Sequence, residues 1–507
     1  MKAVRQWLFA AEAVNDKKSI VDEPDVYPVH SLDRMAEYQK FVATVMYFND
    51  ALDADMLNAS LVKLLETGDW KKLGGRLKKD VNGRLQLHVP PRFSAEQPAV
   101  AYTHECLTEM KISDHPVAKS LPTHTHVPSL QPLPERGALR TLQVRPDFPA
   151  SLDDLMAEDL PPLSLHVHTF QDATVVGLSW PHLLMDGVGR SALMKSWSLV
   201  MAGQEDKVPP VAGAHHDVLS GLPAGASDQD EFFANKGLLR GVRLAKVLLY
   251  WGWAKLAGPG KVIRSMYLPK EIYDMLVGGI KEQVSQVQGQ TGTKRYISES
   301  DAITAWVTRQ VALSEPRPRP VTIMSLFNGR YALKQHLNPD AVYLQNMVLI
   351  NYTTLSAEEA RDAVAPLALA CKAQLSEQTS ESRALGFIQW ISKRVDKTKH
   401  TVPLCGGEDS VLLCCNSLIR ADLIRETRFA PAVLRAGEAA ETRRNPAGSM
   451  INFFYGLPNE PTQFINGFNI LGKDHSGGTW FAGNLAPQVW EALEYEVKQL
   501  GEGKSSS

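Results

Sequence analysis

The chain has 507 residues, of which 44% are hydrophobic, and a formal net charge of −2. This length exceeds what one ordinary hydrophobic core organises, so it predicts two large lobes. The nearly balanced charge leaves no basic footprint for nucleic acid, and we expect no nucleic-acid partner.

The amino terminus and the cysteines both bear on localisation. Residues 1–18 contain a short apolar stretch that acidic and polar residues soon interrupt, which argues against a secretory signal. The five cysteines are scattered and lack CxxC spacing, so they predict neither a disulfide framework nor a zinc site. We therefore expect a cytoplasmic protein without a bound metal.

The first part of the chain alternates helical and strand-like segments. Apolar spacing predicts a helix over 53–66, and alternating patterns predict strands over 83–89, 163–170 and 173–180. His166 and His168 fall on one face of the second of these strands. No third ligand accompanies them at metal-binding spacing, so we interpret them as partners within the fold.

An HxxxDG motif, formed by His182, Asp186 and Gly187, follows the strand predicted over 173–180. Pro181 has no N–H for a sheet ladder, so the chain should leave the sheet there and carry His182 into a loop. A histidine can take up and return a proton near neutral pH, whereas an ionised aspartate is better suited to orient the loop.

Two plainer interpretations of the motif stay open. His182 could be a hydrogen-bonded structural histidine, and Asp186 could be a turn or cap residue. Behind the motif we expect a helix over 191–203, with Ser191 as a candidate cap and Gly203 at its end.

Residues 203–232 are rich in Gly, Pro, Ala, Asp and His and lack periodicity, which predicts a long crossover linker. The linker divides the chain into an amino-terminal lobe, 1–202, and a carboxyl-terminal lobe, 233–507. Segment 237–258 mixes apolar, aromatic and basic residues. We interpret it as a helix packed on the protein body, with contact to a membrane surface as the less favoured alternative.

The carboxyl-terminal lobe resumes the alternation of helices and strands. Helices are predicted over 271–282, from about 298 and over 358–378, strands over 321–327 and 347–352, and a last ordered element over 486–500.

Five segments, taken in order, resemble the BAHD acyltransferase family of CoA-dependent acyltransferases. They are SLDR at 31–34, LGGRLKKDVNG at 73–83, the HxxxDG motif at 182–187, SESDAITAW at 298–306, and the stretch 328–346 that contains Arg330. The family's DFGWG segment is reduced at 425–431 to little beyond Phe429. Leu418 stands where plant members carry a tryptophan that can help bind an oxyanion. These departures resemble the fungal secondary-metabolite branch, such as trichothecene 3-O-acetyltransferase.

The resemblance implies an α/β fold with two chloramphenicol-acetyltransferase-like lobes, each a mixed β-sheet with helices, joined by the crossover. The site would lie in a tunnel between the lobes. His182 would be the general base, Asp186 would pair with Arg330, and Asp186, Gly187 and Arg330 would orient the loop. Asn416 and Ser417 would be the candidate oxyanion or channel residues.

The implied activity is transfer of an acyl group from acyl-CoA, with acetyl-CoA first, to a hydroxyl of a bulky small-molecule secondary metabolite. An amine is the less favoured acceptor. The resemblance implies no acyl-enzyme, no permanently bound cofactor and a monomer.

Two other functions remain as alternatives. A condensation-type enzyme would take its acyl group from a carrier-bound thioester, but such domains show two adjacent histidines, and Pro181 occupies the place of the first. A catalytically idle binding or regulatory relative is favoured by the degenerate DFGWG segment and opposed by the intact His182, Asp186, Gly187 and Arg330.

Overall fold

The computed structural model describes residues 23–257, 260–291, 295–397, 402–460 and 466–502. The amino-terminal segment considered for a secretory signal, and residues 503–507 of the polar tail, lie outside the described residues.

The described residues form mixed α/β architecture. The strands are β1 (Asp25–Pro28), β2 (Phe41–Phe48), β3 (Asp50–Leu52), β4 (Arg76–Lys79), β5 (Leu85–Val89), β6 (Ala101–Leu107), β7 (Ser129–Pro132), β8 (Ser164–Phe170), β9 (Thr174–Pro181), β10 (Val262–Leu268), β11 (Val321–Asn328), β12 (Val348–Leu355), β13 (Val411–Ser417), β14 (Val433–Ala436), β15 (Asn452–Gly456), β16 (Asn466–Lys473) and β17 (Thr479–Leu485). The helices are α1 (Ala54–Leu65), α2 (Arg136–Gln143), α3 (Leu152–Ala157), α4 (Gly187–Met201), α5 (Gln229–Asn235), α6 (Gly241–Ala257), α7 (Lys270–Thr291), α8 (Glu299–Ser314), α9 (Gly329–Ala332), α10 (Val364–Gln378), α11 (Glu381–Ser392), α12 (Leu423–Glu426) and α13 (Pro487–Gly501).

A five-stranded mixed sheet, in the order β15-β2-β9-β8-β6, forms the core of the amino-terminal lobe. Every residue of β8 and β9 is buried, as the apolar run of β9 predicts for a covered strand. Helix α2 lies very close to this sheet, because a Cβ atom at Gly177 would be 2.6 Å from the Gln143 carbonyl oxygen. Glycine at this strand position therefore allows the helix to cover one face.

A seven-stranded mixed sheet, in the order β12-β11-β13-β16-β17-β10-β7, forms the second lobe. The β11, β13 and β16 strands run parallel, and the other neighbours pair antiparallel. Helices α7, α8, α10 and α13 bury a second apolar core against this sheet. The two lobes predicted from chain length are thus present, and each contains a mixed sheet.

The two halves of the chain also exchange strands. β7, which precedes the HxxxDG motif, is the edge strand beside β10 in the seven-stranded sheet. β15, from the second half, is the edge strand beside β2 in the five-stranded sheet. A short pairing of β3 with β14 adds a further link. These exchanges fix the two lobes to each other through backbone hydrogen bonds.

Most of the predicted elements are confirmed, with shifted ends. The helix predicted over 53–66 is α1, and the strands predicted over 83–89, 163–170 and 173–180 are β5, β8 and β9. The strands predicted over 321–327 and 347–352 are β11 and β12, and the ordered element predicted over 486–500 is the helix α13. The helix predicted over 358–378 begins only at Val364, after a short 3-10 turn at Glu359–Arg361. The helix predicted over 271–282 continues as α7 to Thr291.

The predicted crossover contains little regular structure. Residues 203–228 have a 3-10 turn at Glu205–Lys207 and a single β-bridge between Val211 and Val342, and α5 begins at Gln229. The segment considered for membrane contact forms α6. Throughout the described ranges, no helix combines the length and the apolar character that a membrane span requires.

Candidate active site

The loop that carries His182 is fixed to the end of the five-stranded sheet. The His182 N–H donates to the Lys40 carbonyl oxygen at 2.8 Å, next to the start of β2. A 3-10 turn at His182–Leu184 follows, and α4 begins at Gly187. Asp186 caps this helix, because its Oδ1 accepts hydrogen bonds from the N–H groups of Val188 and Gly189, both at 3.0 Å.

The expected cap at Ser191 is therefore wrong. The Ser191 hydroxyl lies inside the first turns of α4, where it donates to the Gly187 carbonyl oxygen at 3.1 Å. The helix starts earlier than the apolar periodicity indicated because the carboxylate of Asp186 satisfies the N–H groups at the helix start.

Asp186 also joins the two lobes. Its Oδ2 accepts hydrogen bonds from Arg330 Nη1 at 2.7 Å and from the Met347 N–H at 3.0 Å. Burial raises the pKa of the Asp186 carboxyl, but the Arg330 charge and the hydrogen bonds outweigh burial and hold this pKa below its ordinary value. The pairing of Asp186 with Arg330 is present as expected, and it coexists with the cap that was the plainer interpretation.

Arg330 is held in turn by the segment that follows it. Its Nη2 donates to the carbonyl oxygens of Tyr343 and Gln345, at 2.8 and 2.7 Å. Asn328 accepts from the Arg330 N–H at 3.0 Å and caps the short helix α9. The guanidinium therefore binds a carboxylate of one lobe and two carbonyl groups of the other.

Asn346 connects the same segment to the backbone of His182. Its side-chain N–H groups donate to Asp33 Oδ1 at 2.7 Å and to the His182 carbonyl oxygen at 3.0 Å, and its backbone N–H donates to Asp33 Oδ1 at 2.8 Å. Asp33 and Asn346 both lie in segments that carry the sequence resemblance. The structure thus brings three of those segments together beneath one loop.

The His182 imidazole lies partly exposed and stacks on the ring of Tyr38, with ring centroids 4.5 Å apart and planes 16° from parallel. Its Nδ1 atom is buried, with no hydrogen-bond partner among the described residues. Burial lowers the pKa of His182 below its ordinary value. The ring is therefore neutral near neutral pH and presents one nitrogen that can accept a proton.

The candidate oxyanion residues lie across the lobe boundary from the motif. The Leu418 Cδ2 atom would be 3.4 Å from a Cβ atom built on Gly187, so the end of β13 contacts the HxxxDG loop. Asn416 Nδ2 donates to the Tyr455 hydroxyl at 3.1 Å, and Ser417 Oγ lies 2.7 Å from Ser300 Oγ. Asn416 keeps a second amide proton, which makes it the better donor of the two.

Arg190 is a buried cation near this site that the sequence patterns did not single out. Its Nη1 donates to Thr44 Oγ1 at 3.1 Å, and its guanidinium lies over the rings of Phe453 and Tyr455 at 4.9 and 5.4 Å. Within the described part of the chain, Nε and Nη2 are buried without a hydrogen-bond partner. Burial lowers the pKa of Arg190 to about 10, so it stays charged at neutral pH. The sequence signal that could have found Arg190 is its position four residues after Asp186, which places it in the first turn of α4.

The degenerate segment 425–431 packs behind the site. Phe429 is fully buried, with its ring 4.6 Å from that of Trp197 and 5.4 Å from that of Phe48. The Arg428 N–H donates to the Ser198 hydroxyl on α4 at 3.0 Å. The segment supports the helix that follows the HxxxDG motif.

A cavity of about 330 Å³ opens beside Lys40 at the start of β2, and its lining includes no residue of the HxxxDG loop. Its lining includes Lys40, whose carbonyl receives the His182 N–H, together with Phe41 and Leu152 from the first half of the chain and Asn459 and Glu460 from the second. This volume lies within the range of small-molecule sites.

His166 and His168 are not part of this arrangement. They lie on β8, on the face of the five-stranded sheet that α2 covers. The His166 Nε2 atom is 3.2 Å from the carbonyl oxygen of Thr141 on α2.

Known proteins resemble both the sequence and the fold. No family model matches the chain. It is 30% identical over 513 residues to acetyltransferase BOT5 of Botryotinia fuckeliana, and the alignment covers 96% of this chain and 93% of BOT5.

Two solved structures have the same architecture. The TRI101 protein of F. sporotrichioides, complexed with coenzyme A and T-2, matches with a TM-score of 0.61 over 93% of this chain and 97% of its own, at 12% identity. Vinorine synthase matches with a TM-score of 0.52 over 94% of this chain and 93% of its own, also at 12% identity. At these identities the likeness concerns the fold. Taken with the near-full-length match to a fungal acetyltransferase, it means that the chain belongs to the BAHD acyltransferase family.

Proposed function

We propose that this protein transfers an acyl group, with acetyl as the favoured group, from acyl-CoA to a hydroxyl of a bulky small molecule. His182 is the general base in this proposal. The observation that carries the assignment is the partly exposed His182 ring, on a loop that is tied to both lobes. The family membership supplies the reaction class. Acyl-CoA is then a co-substrate, and the chemistry calls for no permanently bound cofactor.

In the proposed reaction, His182 Nε2 takes the proton of the acceptor hydroxyl while its oxygen attacks the thioester carbon. The carbonyl oxygen becomes an oxyanion in a tetrahedral intermediate. The C–S bond then breaks, and the departing CoA thiolate receives the proton from the imidazolium. No acyl-enzyme forms, because the acceptor attacks the thioester directly.

Asp186, Gly187 and Arg330 act as positioning residues in this proposal. The Asp186 carboxylate is occupied by four hydrogen bonds, from Arg330 and from the N–H groups of Val188, Gly189 and Met347. A base held by fixed neighbours loses little entropy when the substrates arrive. We assign the second Asn416 amide proton to the oxyanion, with Ser417 in the same channel.

We further propose that the cavity beside Lys40 receives the acceptor. Residues of both halves of the chain line it, and the two from the second half, Asn459 and Glu460, follow strand β15 of the five-stranded sheet. The five cysteines are all free thiols, which suits a protein that acts in the cytosol, and we propose that it acts as a monomer. An amine is the second choice of acceptor.

The direct test is incubation of the purified protein with acetyl-CoA and a panel of polycyclic and terpenoid alcohols. We expect release of free CoA thiol together with an acetyl mass increment on the acceptor. A matched panel of amines decides between ester and amide products. If the protein transferred an acyl group from a carrier-bound thioester but not from acetyl-CoA, the condensation-type alternative would replace this proposal.

A further inference from the structure

A cluster of metal-ligating side chains lies in the amino-terminal lobe, outside the proposed active site. Glu105 of β6, with His166 and His168 of β8, places one ligand atom from each residue within 4.8 Å of the other two. The His166 Nε2 atom is 3.9 Å from Glu105 Oε1, and the His168 Nε2 atom is 3.6 Å from Glu105 Oε2.

Strand pairing creates this cluster. Glu105 is directly opposite His168 in the parallel pairing of β6 with β8, and His166 lies two residues away on the same face. No third ligand was apparent from local spacing, because Glu105 lies 61 positions before His166. The fold supplies it.

An ion pair does not account for the arrangement. Both histidines are buried, and burial favours the neutral form of an imidazole. The Nδ1 atom of His168 is buried with no hydrogen-bond partner among the described residues. A carboxylate thus faces two neutral imidazoles, one of which has an unsatisfied ring nitrogen.

We propose that Glu105, His166 and His168 bind a divalent transition-metal ion of the Zn²⁺ type. Two imidazole nitrogens and one carboxylate oxygen are an established ligand set for this ion, with solvent in the fourth position. Ligand atoms in a tetrahedral zinc site are about 3.3 Å apart, given bonds of about 2.0–2.1 Å. The distances from the Glu105 oxygens to His168 Nε2 and His166 Nε2, 3.6 and 3.9 Å, are slightly longer than this. Rotation of the Glu105 side chain, which is 47% exposed, would shorten them.

The neighbours of His166 suit this role. Its Nδ1 lies 2.7 Å from Thr103 Oγ1, so a metal on Nε2 fixes the other nitrogen as an N–H that donates to the threonine. Nε2 then exchanges its present contact with the Thr141 carbonyl oxygen, at 3.2 Å, for the metal. The ion would tie the edge strand β6 to β8, and it would stabilise the folded lobe in proportion to its occupancy.

The test uses the full-length protein, freed of metal by dialysis against a chelator. Titration with ZnCl₂ in a calorimeter should show one equivalent bound, and titration with Co²⁺ should give the intense visible absorption of a tetrahedral site. Glu105→Gln keeps the size of an exposed side chain and should weaken Zn²⁺ affinity by about 100-fold or more. Saturating Zn²⁺ should raise the melting temperature of the wild type and leave that of Glu105→Gln unchanged.

Two controls separate this site from adventitious binding. His104→Ala removes a histidine on the same strand whose Nε2 contacts Thr169 instead, and Cys106→Ser removes the exposed thiol next to Glu105. Both should bind one equivalent as the wild type does, and His168→Asn should not. The proposal fails if the wild type binds no Zn²⁺ at micromolar concentration. It also fails if Glu105→Gln binds as tightly as the wild type, or if binding is lost with Cys106.

Discussion

Asp186 Oδ2 and Arg330 Nη1 lie 2.7 Å apart, although 144 positions separate the two residues in the chain. The Asp186 side chain is fully buried and that of Arg330 is 12% exposed, so the pair is shielded from solvent. It connects Asp186, the N-cap residue of α4 in one lobe, to Arg330 of α9 in the other. The loop that carries His182 is therefore held by a contact that exists only when both lobes are assembled.

Asp186→Asn should destabilise the protein by about 3–5 kcal/mol, because it leaves the buried Arg330 guanidinium without its countercharge. Urea denaturation checks this. The control is Asp396→Asn, which breaks the exposed pair with Arg34 and should cost about 1 kcal/mol or less. Equal, small losses for both variants would contradict a structural role for Asp186.

His182→Ala should lower kcat by about 100-fold or more, the usual scale for loss of a general base. Its melting temperature should change little, since the ring is only partly buried and Nε2 makes no hydrogen bond within the described residues. His88→Ala, at a half-buried histidine on β5, should retain full turnover. Wild-type turnover by His182→Ala would rule out the base assignment.

The pH profile of kcat/KM should report the lowered pKa of His182. The neutral imidazole is the active form, so kcat/KM should rise with pH and level off, with an apparent pKa below the ordinary 6.5. The Arg190 charge contributes to this lowering after burial. Arg190→Met should therefore move the rising limb to higher pH.

The control for that shift is Lys195→Met, which removes an exposed charge from the same helix. It should leave the limb in place. An unchanged limb in Arg190→Met would mean that the buried cation does not act on His182.

Phe429→Ala should cost about 3–5 kcal/mol of stability, because it empties a fully buried site between Phe48 and Trp197. Turnover per folded molecule should stay near the wild-type value at low temperature. Phe429→Leu should cost less. A dead but stable Phe429→Ala protein would show that segment 425–431 acts in the chemistry.

Leu152→Trp should raise KM for the acceptor, because the larger side chain fills the cavity beside Lys40. KM for acetyl-CoA should not change. Leu434→Trp, at an exposed position on β14, is the control and should alter neither value. A rise in KM for acetyl-CoA alone would assign the cavity to the other substrate.

The local sequence was sufficient for the elements that position the motif. Alternation predicted β8, an apolar run predicted β9 and helical spacing predicted α1, because side-chain periodicity reflects which face of an element is buried. The residues at which helices and strands begin and end were predicted less well. α4 starts at Gly187 because a cap carboxylate, and not the apolar pattern, determines where the helix begins.

The sequence by itself thus determined the family, the two-lobed α/β class and the residues His182, Asp186 and Arg330. The tertiary structure decided which groups meet: Asn346 with Asp33 and the His182 carbonyl, Arg190 with Phe453, and Glu105 with the two histidines of β8. Periodicity and motifs act over a few residues, whereas these contacts join positions tens to hundreds of residues apart. Strand order and lobe packing bring them together, and no local pattern encodes either.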